Sequence, residues 1–457
     1  MNKAFITGQL DLFENGLDKP AGVALRDPAF ADNKRLPIHR WAPWIAGYSA
    51  AFIDDVMDVY LPQDPADRQS GVVLDPFAGV GTTLVQAMLR CCRTVGFEIN
   101  PYAALAAQVK VRAPFLDLPK LKGLFCRFEA ESGRWEHRVT TARAASPHGF
   151  RSRIPFFNPS VENQALRMID FINAIDDEDL RDLFRVAFGS VMVTFSNYTY
   201  EPSLGTRPGA GKPLIENQDA AGILTEKLRQ MTKDVAWAQT RCPTPPSLSS
   251  AHRVFNANFF QKGEELLSGL PVDLMVTSPP YMNNYHYVRN TRPQLYWLAL
   301  VHASSELKQL EEENFGKFWQ TVRNGAPQAP VFAHPGLNTL IQELRQIRVE
   351  KGPYGGPGWA NYVTAYFNDA QKFLGILKNV LKPGGVGVIV VGNSIVQGIE
   401  FKVDRFFAEL GESVGLTVEA VHPIRRKRVG ASITKSSVRR GGQNGASLYE
   451  AAVVLRK

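Results

Sequence analysis

Val72-Val73-Leu74-Asp75-Pro76-Phe77-Ala78-Gly79-Val80-Gly81-Thr82-Thr83 decides the fold. An apolar run ends at Asp75, a glycine-containing turn follows, and Leu84 to Arg90 reads as a helix. Gly79 and Gly81 permit a tight turn and a close approach of backbone to ligand. A second apolar strand, Thr94 to Phe97, ends at Glu98. That acid stands about twenty residues past the glycines, where nucleotide-binding α/β folds set a carboxylate on ribose hydroxyls. No Gly-Lys-Ser/Thr follows the turn, which excludes a P-loop. Strand, turn, helix, strand and acid together predict a mostly parallel α/β sheet with helices on both faces and a Rossmann-like nucleotide site.

The second informative stretch is Val276-Thr277-Ser278-Pro279-Pro280-Tyr281. Val272 to Val276 reads as a buried strand. The two prolines fix φ and remove two backbone donors, so the chain stays extended and rigid past the strand. Ser278 offers a hydroxyl, the Pro279 carbonyl an acceptor, and Tyr281 a flat aromatic face. This set suits a planar group that carries an exocyclic amine.

Composition narrows the class. At 457 residues the chain holds two or three domains, or one domain with large insertions. A hydrophobic content of 44% supports a sizeable core, and no apolar run is long enough to cross a membrane. Met1 to Phe5 lacks the apolar region of a secretory leader. The four cysteines show no metal-ligand spacing, so no metal is expected, and a reducing cytosol fits them. A net charge of +8 suits a polyanionic partner.

Residues 1–35 read as a flexible tail. Within it, Gln9-Leu10-Asp11-Leu12-Phe13 resembles the short motif by which bacterial DNA enzymes dock on the replication sliding clamp; a plain tail or packing strand is the alternative. Ile38 to Phe52 is aromatic-rich and leads into an amphipathic helix with Phe52, Val56 and Val59 on one face. Standing just before the glycine turn, it reads as core or as a cofactor lid that includes Tyr48. Residues 113–249 form a mainly helical insertion, with one helix over Val161 to Phe188. Ser196 to Gly209 is a Gly, Pro and aromatic loop, either an Ω-like structure or a track for a nucleic-acid backbone through Arg207. Residues 305–358 form a second, charged helical insertion, and a helix is expected over Tyr362 to Leu381. Near the end, Arg425-Arg426-Lys427-Arg428, Lys435, Arg439 and Arg440 read as a basic loop between two strands, suited to phosphates.

With both motifs in hand, the chain resembles the amino-methylating DNA methyltransferases, which move a methyl group from S-adenosylmethionine to N4 of cytosine or N6 of adenine. The resemblance covers residues 36–112 and 250–457 and implies a single catalytic domain built from both, in the class I methyltransferase fold. It implies that Asp75, Pro76, Phe77, Gly79, Gly81, Thr82 and Glu98 hold the cofactor, with Tyr48, Asn258 and Thr277 around it. Asn258 stands where relatives usually carry an acid. The resemblance makes Ser278, Pro279, Pro280 and Tyr281 catalytic. A serine in first place is commoner among the cytosine-N4 enzymes, and the cofactor motif preceding the catalytic one matches the unpermuted order. Double-stranded DNA is the implied substrate, its target base flipped out of the stack. Arg207, Tyr285, Arg289, Arg292 and the C-terminal basic residues are the candidate DNA contacts, and residues 113–249 the candidate target-recognition region. The chain contains no Pro-Cys pair, which argues against cytosine-C5 chemistry.

Overall fold

The computed structural model describes residues 25–26, 30–42, 44, 47–62, 64, 70–135, 142–200, 203–242, 251–282, 287–427 and 448–457. Strands in chain order are β1 (Val72–Asp75), β2 (Arg93–Phe97), β3 (Tyr198–Tyr200), β4 (Leu204–Thr206), β5 (His252–Phe255) and β6 (Val272–Thr277). They continue as β7 (Leu381–Gly392), β8 (Ser394–Val396), β9 (Ile399–Phe401), β10 (Thr417–Lys427) and β11 (Leu448–Arg456). Seven of them form one sheet in the order β10-β11-β7-β6-β1-β2-β5. The pairs β5–β2, β2–β1, β1–β6 and β6–β7 are parallel, and β11 enters antiparallel between β7 and β10. This is the α/β class and Rossmann-like sheet that the two motifs predict. All four residues of β1 are buried, as expected of a central strand covered on both faces. The order of strands reverses between β1 and β6, and such a switch point leaves a crevice at the strands' carboxyl ends.

The first helices are α1 (Ala50–Tyr60), α2 (Thr82–Leu89) and α3 (Pro101–Arg112). Asn100 starts α3 by accepting from the amides of Tyr102 and Ala103 at 3.1 and 3.3 Å, and Pro101 follows at a position that needs no donor. The buried face of α1 is Phe52, Ile53, Val56 and Met57. Val59 is 40% exposed, so the apolar stripe is rotated from the one the sequence predicts.

The middle of the chain is helical, with α4 (Leu118–Ser132), α5 (Pro159–Asn173), α6 (Glu178–Val191) and α7 (Ala220–Arg241). The expected single helix from Val161 to Phe188 is two. Asp177 breaks it by accepting from Leu180 N at 3.1 Å, so the acidic cluster caps the start of α6. Phe184 and Phe188 of α6 and Leu224 and Leu228 of α7 share one apolar cluster with Leu84 and Val85 of α2 and Val109 of α3. The middle segment therefore packs on one face of the sheet through the helices that follow β1 and β2. Buried Asp234 of α7 ties the entry segment down, accepting from Ile38 N at 3.0 Å and Trp41 Nε1 at 2.8 Å.

Next come α8 (Phe259–Leu266), α9 (Tyr287–Trp297), α10 (Ser304–Glu313), α11 (Trp319–Val322), α12 (Pro335–Arg345), α13 (Gly356–Val380) and α14 (Val403–Ser413); α9 and α10 join the first cluster through Val288, Leu295, Leu307 and Leu310, and the others pack on the opposite face. Helix α13 begins at Gly356 rather than Tyr362, because Pro357 is tolerated in a first turn. The Ser196 to Gly209 loop contains the hairpin β3–β4. Strand β10 runs on to Lys427, so Arg425, Arg426 and Lys427 belong to a strand and not to the expected loop. Arg428, Lys435, Arg439, Arg440, Tyr285 and Gln9 to Phe13 lie outside the described residues. No helix among the described residues is long and apolar enough to cross a membrane.

Candidate active site

The crevice at the switch point is a cleft of about 920 Å3 including its mouth. It is lined by Pro76, Phe77, Gly79 and Thr82 after β1, Glu98 after β2, Asn258 after β5, and Ser278 and Pro280 after β6. The two sequence motifs, some two hundred residues apart in the chain, thus face one space. The entry segment adds Trp44, Gly47 and Tyr48, in keeping with the expected lid.

Asp75 does not line this space. It is 1% exposed and fully engaged. Its Oδ2 accepts from Tyr48 OH at 2.8 Å, and its Oδ1 from Thr277 Oγ1 at 2.6 Å and Phe77 N at 3.1 Å. Burial pushes its pKa up and these donors pull it back. Tyr48 also contacts Thr83 Oγ1 and reaches Val276 O at 3.3 Å. Asp75 and Thr277 therefore clamp the ends of β1 and β6 together behind the cleft, where the resemblance puts both on the cofactor.

The glycines divide in the same way. Gly79 has φ 51°, and a Cβ there would lie 3.1 Å from Trp44 Nε1, at the cleft wall. Gly81 has φ 83°, and its Cβ would press on Ala107 Cβ at 3.0 Å. Its smallness serves the packing of α2 on α3, not the approach of a ligand.

Glu98 faces the cleft. Its Oε2 accepts from Gly79 N at 2.9 Å and its Oε1 from Asn100 N at 2.8 Å, which fixes the carboxylate against the turn. Each oxygen keeps lone pairs for a further donor. Loss of water and the nearby Asp75 push its pKa up to about 7, against the backbone donors. Asn258 caps α8, with Oδ1 accepting from Phe260 N at 2.9 Å, and its Nδ2 donates to Glu313 O at 3.2 Å. Each end of its amide keeps one further hydrogen-bonding site beside the cleft that the residue lines.

An aromatic wall closes this end. Phe77 meets Phe315 at 5.3 Å and Phe260 at 6.3 Å between ring centroids, and Phe260 stacks on Phe315 at 19°. Sequence reasoning missed Glu313, Asn314 and Phe315, which line the cleft. They sit at the end of α10, inside the expected second insertion, and nothing local to them signals a site.

On the β6 side, Ser278 and Pro280 face the cleft, while Tyr281 lies behind them. A Cβ on Gly392 would lie 3.4 Å from the Tyr281 ring, so the ring is packed against β7. Burial, followed by the charge of buried Glu450 of β11, raises the Tyr281 pKa, and the Ser278 side chain pulls it back. Arg425 Nη1 stands 4.0 Å from Glu450, on the neighbouring strand. Arg207 Nε donates to Pro213 O at 2.7 Å, away from the cleft, and Arg289 and Arg292 line a different cavity.

No protein-family model matches the chain. The Type II methyltransferase M.BsoBI of Geobacillus stearothermophilus is 21% identical over 438 residues, covering 88% of this chain and 83% of that one. The Type II methyltransferase M.AvaI of Anabaena variabilis is 21% identical over 413 residues, covering 86% and 82%. The Type II methyltransferase M.MjaII of Methanocaldococcus jannaschii is 35% identical over 75 residues, only 16% of this chain and 13% of that one. Among solved structures, the rRNA methyltransferase aviRa from Streptomyces viridochromogenes aligns over 91% of this chain and 87% of that one. Its TM-score of 0.31 and 10% identity are too low to carry an argument. Along most of its length, then, this chain is similar to Type II methyltransferases.

Proposed function

We propose that the chain is a site-specific DNA methyltransferase of a restriction-modification system. It transfers the methyl group of S-adenosylmethionine to the exocyclic N4 amine of a cytosine turned out of the duplex. The observation that carries this reading is the meeting of Ser278 and Pro280 with Gly79 and Glu98 in one cleft at the switch point. A serine opening the Pro-Pro-Tyr motif favours cytosine over adenine.

The residues present fit the cofactor. Glu98 offers carboxylate lone pairs beside a glycine turn, suited to ribose hydroxyls, and Phe77, Phe260 and Phe315 offer an apolar wall for an adenine ring. The bound cofactor supplies a methyl group made electrophilic by a sulfonium sulfur. The chain's task is the amine, whose lone pair is delocalised into its ring. Ser278 Oγ and the Pro279 carbonyl accept its two N–H bonds and draw the lone pair out of conjugation toward the methyl group. Ser278 acts as an acceptor whose position the two following prolines fix. Alignment contributes most of the rate in such a transfer, and an acceptor stabilises positive charge as it grows on nitrogen. Either the helical segment 113–249 or the second insertion, 305–358, reads the target sequence. The clamp-like pentapeptide has no part in this chemistry.

The test is transfer of isotopically labelled methyl groups by the purified chain to double-stranded DNA from an unmodified host. Label in DNA is expected, and Ser278→Ala should lose roughly 10²–10³ in rate, the scale of one lost electrostatic contact to the transition state. Cofactor affinity in that variant should stay within twofold. Label in RNA alone would overturn the substrate. N6-methyladenine as product would replace the base and keep the chemistry.

A further inference from the structure

A second cavity, about 700 Å3 including its mouth, lies beside α9 and is absent from the chemistry above. Among the described residues its wall carries four arginines, Arg151, Arg153, Arg289 and Arg292, and no carboxylate. None of the four pairs with an acid among the described residues. Like charges gathered without a counter-charge repel one another, so the arrangement suits an anion supplied from outside.

The cavity is built rather than accidental. Arg289 and Arg292 stand three apart on α9 and so share a helix face. Arg151 and Arg153 stand two apart, outside any helix, and both line the cavity. The guanidinium of Arg292 donates to Arg151 O and lies 5.4 Å from the centre of the Phe150 ring. Arg153 N donates to Tyr198 OH at 2.9 Å. The hairpin β3–β4 is fastened to α9 as well, with Tyr200 OH donating to Asn290 O at 2.9 Å and Leu204 N to Asn290 Oδ1 at 2.8 Å. Three separate segments thus build the cavity, and two of them, residues 150–153 and α9, supply its cations.

Helix α9 also sets the cavity's relation to the active site. Tyr287 and Val288, at its start, line the cofactor cleft, and Arg289, the next residue, lines the basic cavity. The two spaces are separated by about one helix diameter, ~10 Å. That distance is a few nucleotides of strand, at ~3.4 Å per step along a duplex.

We propose that this cavity binds the sugar-phosphate backbone of the target DNA strand beside the flipped nucleotide. The inference rests on the DNA methyltransferase reading and adds to it a place for the substrate's phosphates and two residues, Arg151 and Arg153, that the sequence did not suggest. Guanidinium groups match phosphate oxygens in two-point hydrogen bonds, which holds register without reading bases. Anchoring the backbone here would keep the flipped base over Ser278.

The test measures binding of the full chain to a double-stranded fragment of unmodified DNA across a range of salt. Wild type is compared with Arg151→Gln/Arg153→Gln, with Arg289→Gln, and with Lys120→Gln/Lys308→Gln as a charge-matched control at residues that do not line the cavity. Arg292 is left in place because it supports the Arg151 backbone. Each lost phosphate contact should flatten the slope of log K against log salt by about 0.9. The double arginine variant should lose about two contacts and bind at least tenfold more weakly, with cofactor affinity within twofold of wild type. The single variant should lose about one. An unchanged slope in both variants of a wild type that binds DNA would overturn this inference alone. Equal flattening in the lysine control would overturn it as a general charge effect. A wild type that binds cofactor but neither binds nor methylates DNA would overturn the underlying reading and this inference with it. A slope change seen only with duplex RNA would overturn the assignment to DNA.

Discussion

The ends of β1 and β2 carry the same chemistry to different ends. Each strand is parallel, central and apolar, and each finishes on a carboxylate, Asp75 in one and Glu98 in the other. Asp75 is surrounded by donors from two distant parts of the chain, Tyr48 and Thr277, and from the Phe77 amide beside it, and faces no ligand space. Glu98 is held by two backbone amides and faces the cleft. What separates a structural acid from a ligand-facing one is therefore which of its lone pairs the fold has already filled. The position at a strand end does not distinguish them.

That contrast can be broken or sharpened by substitution. The largest effect on the fold is expected from Asp75→Asn. One acceptor oxygen would replace two that serve Tyr48, Thr277 and the Phe77 amide. The loss should be about 2 kcal/mol of unfolding free energy, the cost of leaving a buried hydrogen-bonding group unmet. A denaturant titration checks it, and a variant as stable as wild type that has lost cofactor binding would reverse the roles assigned to the two acids.

Glu98→Gln should do the opposite, weakening S-adenosylmethionine binding about tenfold, or ~1.4 kcal/mol, with stability unchanged or improved. The pH dependence follows from its pKa of about 7 in the folded chain, against an ordinary 4.5. Between those values the folded chain holds a proton that the unfolded chain does not. The acid thus costs the ligand-free protein stability as pH rises through that window, and Glu98→Gln should remove this cost. Cofactor affinity should fall with acidification below about pH 7 in wild type and be flat in the variant. Calorimetry at several pH values reads both. A pH-independent wild type would detach Glu98 from the cofactor.

Gly81→Ala is the smallest of the set, a cost of about 1 kcal/mol from positive φ and from crowding against Ala107. Cofactor affinity in the folded variant should be unchanged. A selective loss of affinity would return Gly81 to the ligand side of the turn.

The sheet's central strands and the cleft's two walls were legible because their signals are local. Val72 to Thr83 contains its own strand, turn and helix start, and Thr277 to Tyr281 its own rigid exit from a strand. Glu98 was legible by spacing alone. The role of Asp75 was not, since it depends on Tyr48, 27 residues away, and Thr277, 202 away. The wall formed by Glu313 to Phe315 was hidden likewise, because its partner Asn258 is 55 residues distant and α10 reads as an exposed charged helix. Glu450 gave no signal within an apolar strand, and its part emerges only where β11 passes Tyr281. The basic cavity gathers arginines from two segments that no periodicity connects. The split of the expected helix at Asp177 was written locally, but capping competed with an apolar period that runs across the break.

The most direct test of the central claim is mass spectrometry of nucleosides from the DNA of cells expressing this chain, beside cells expressing the Ser278→Ala variant. N4-methylcytosine in the first and its absence from the second is the result predicted here. DNA in which neither cytosine nor adenine gains a methyl group, from cells where the chain is folded and binds S-adenosylmethionine, would contradict it.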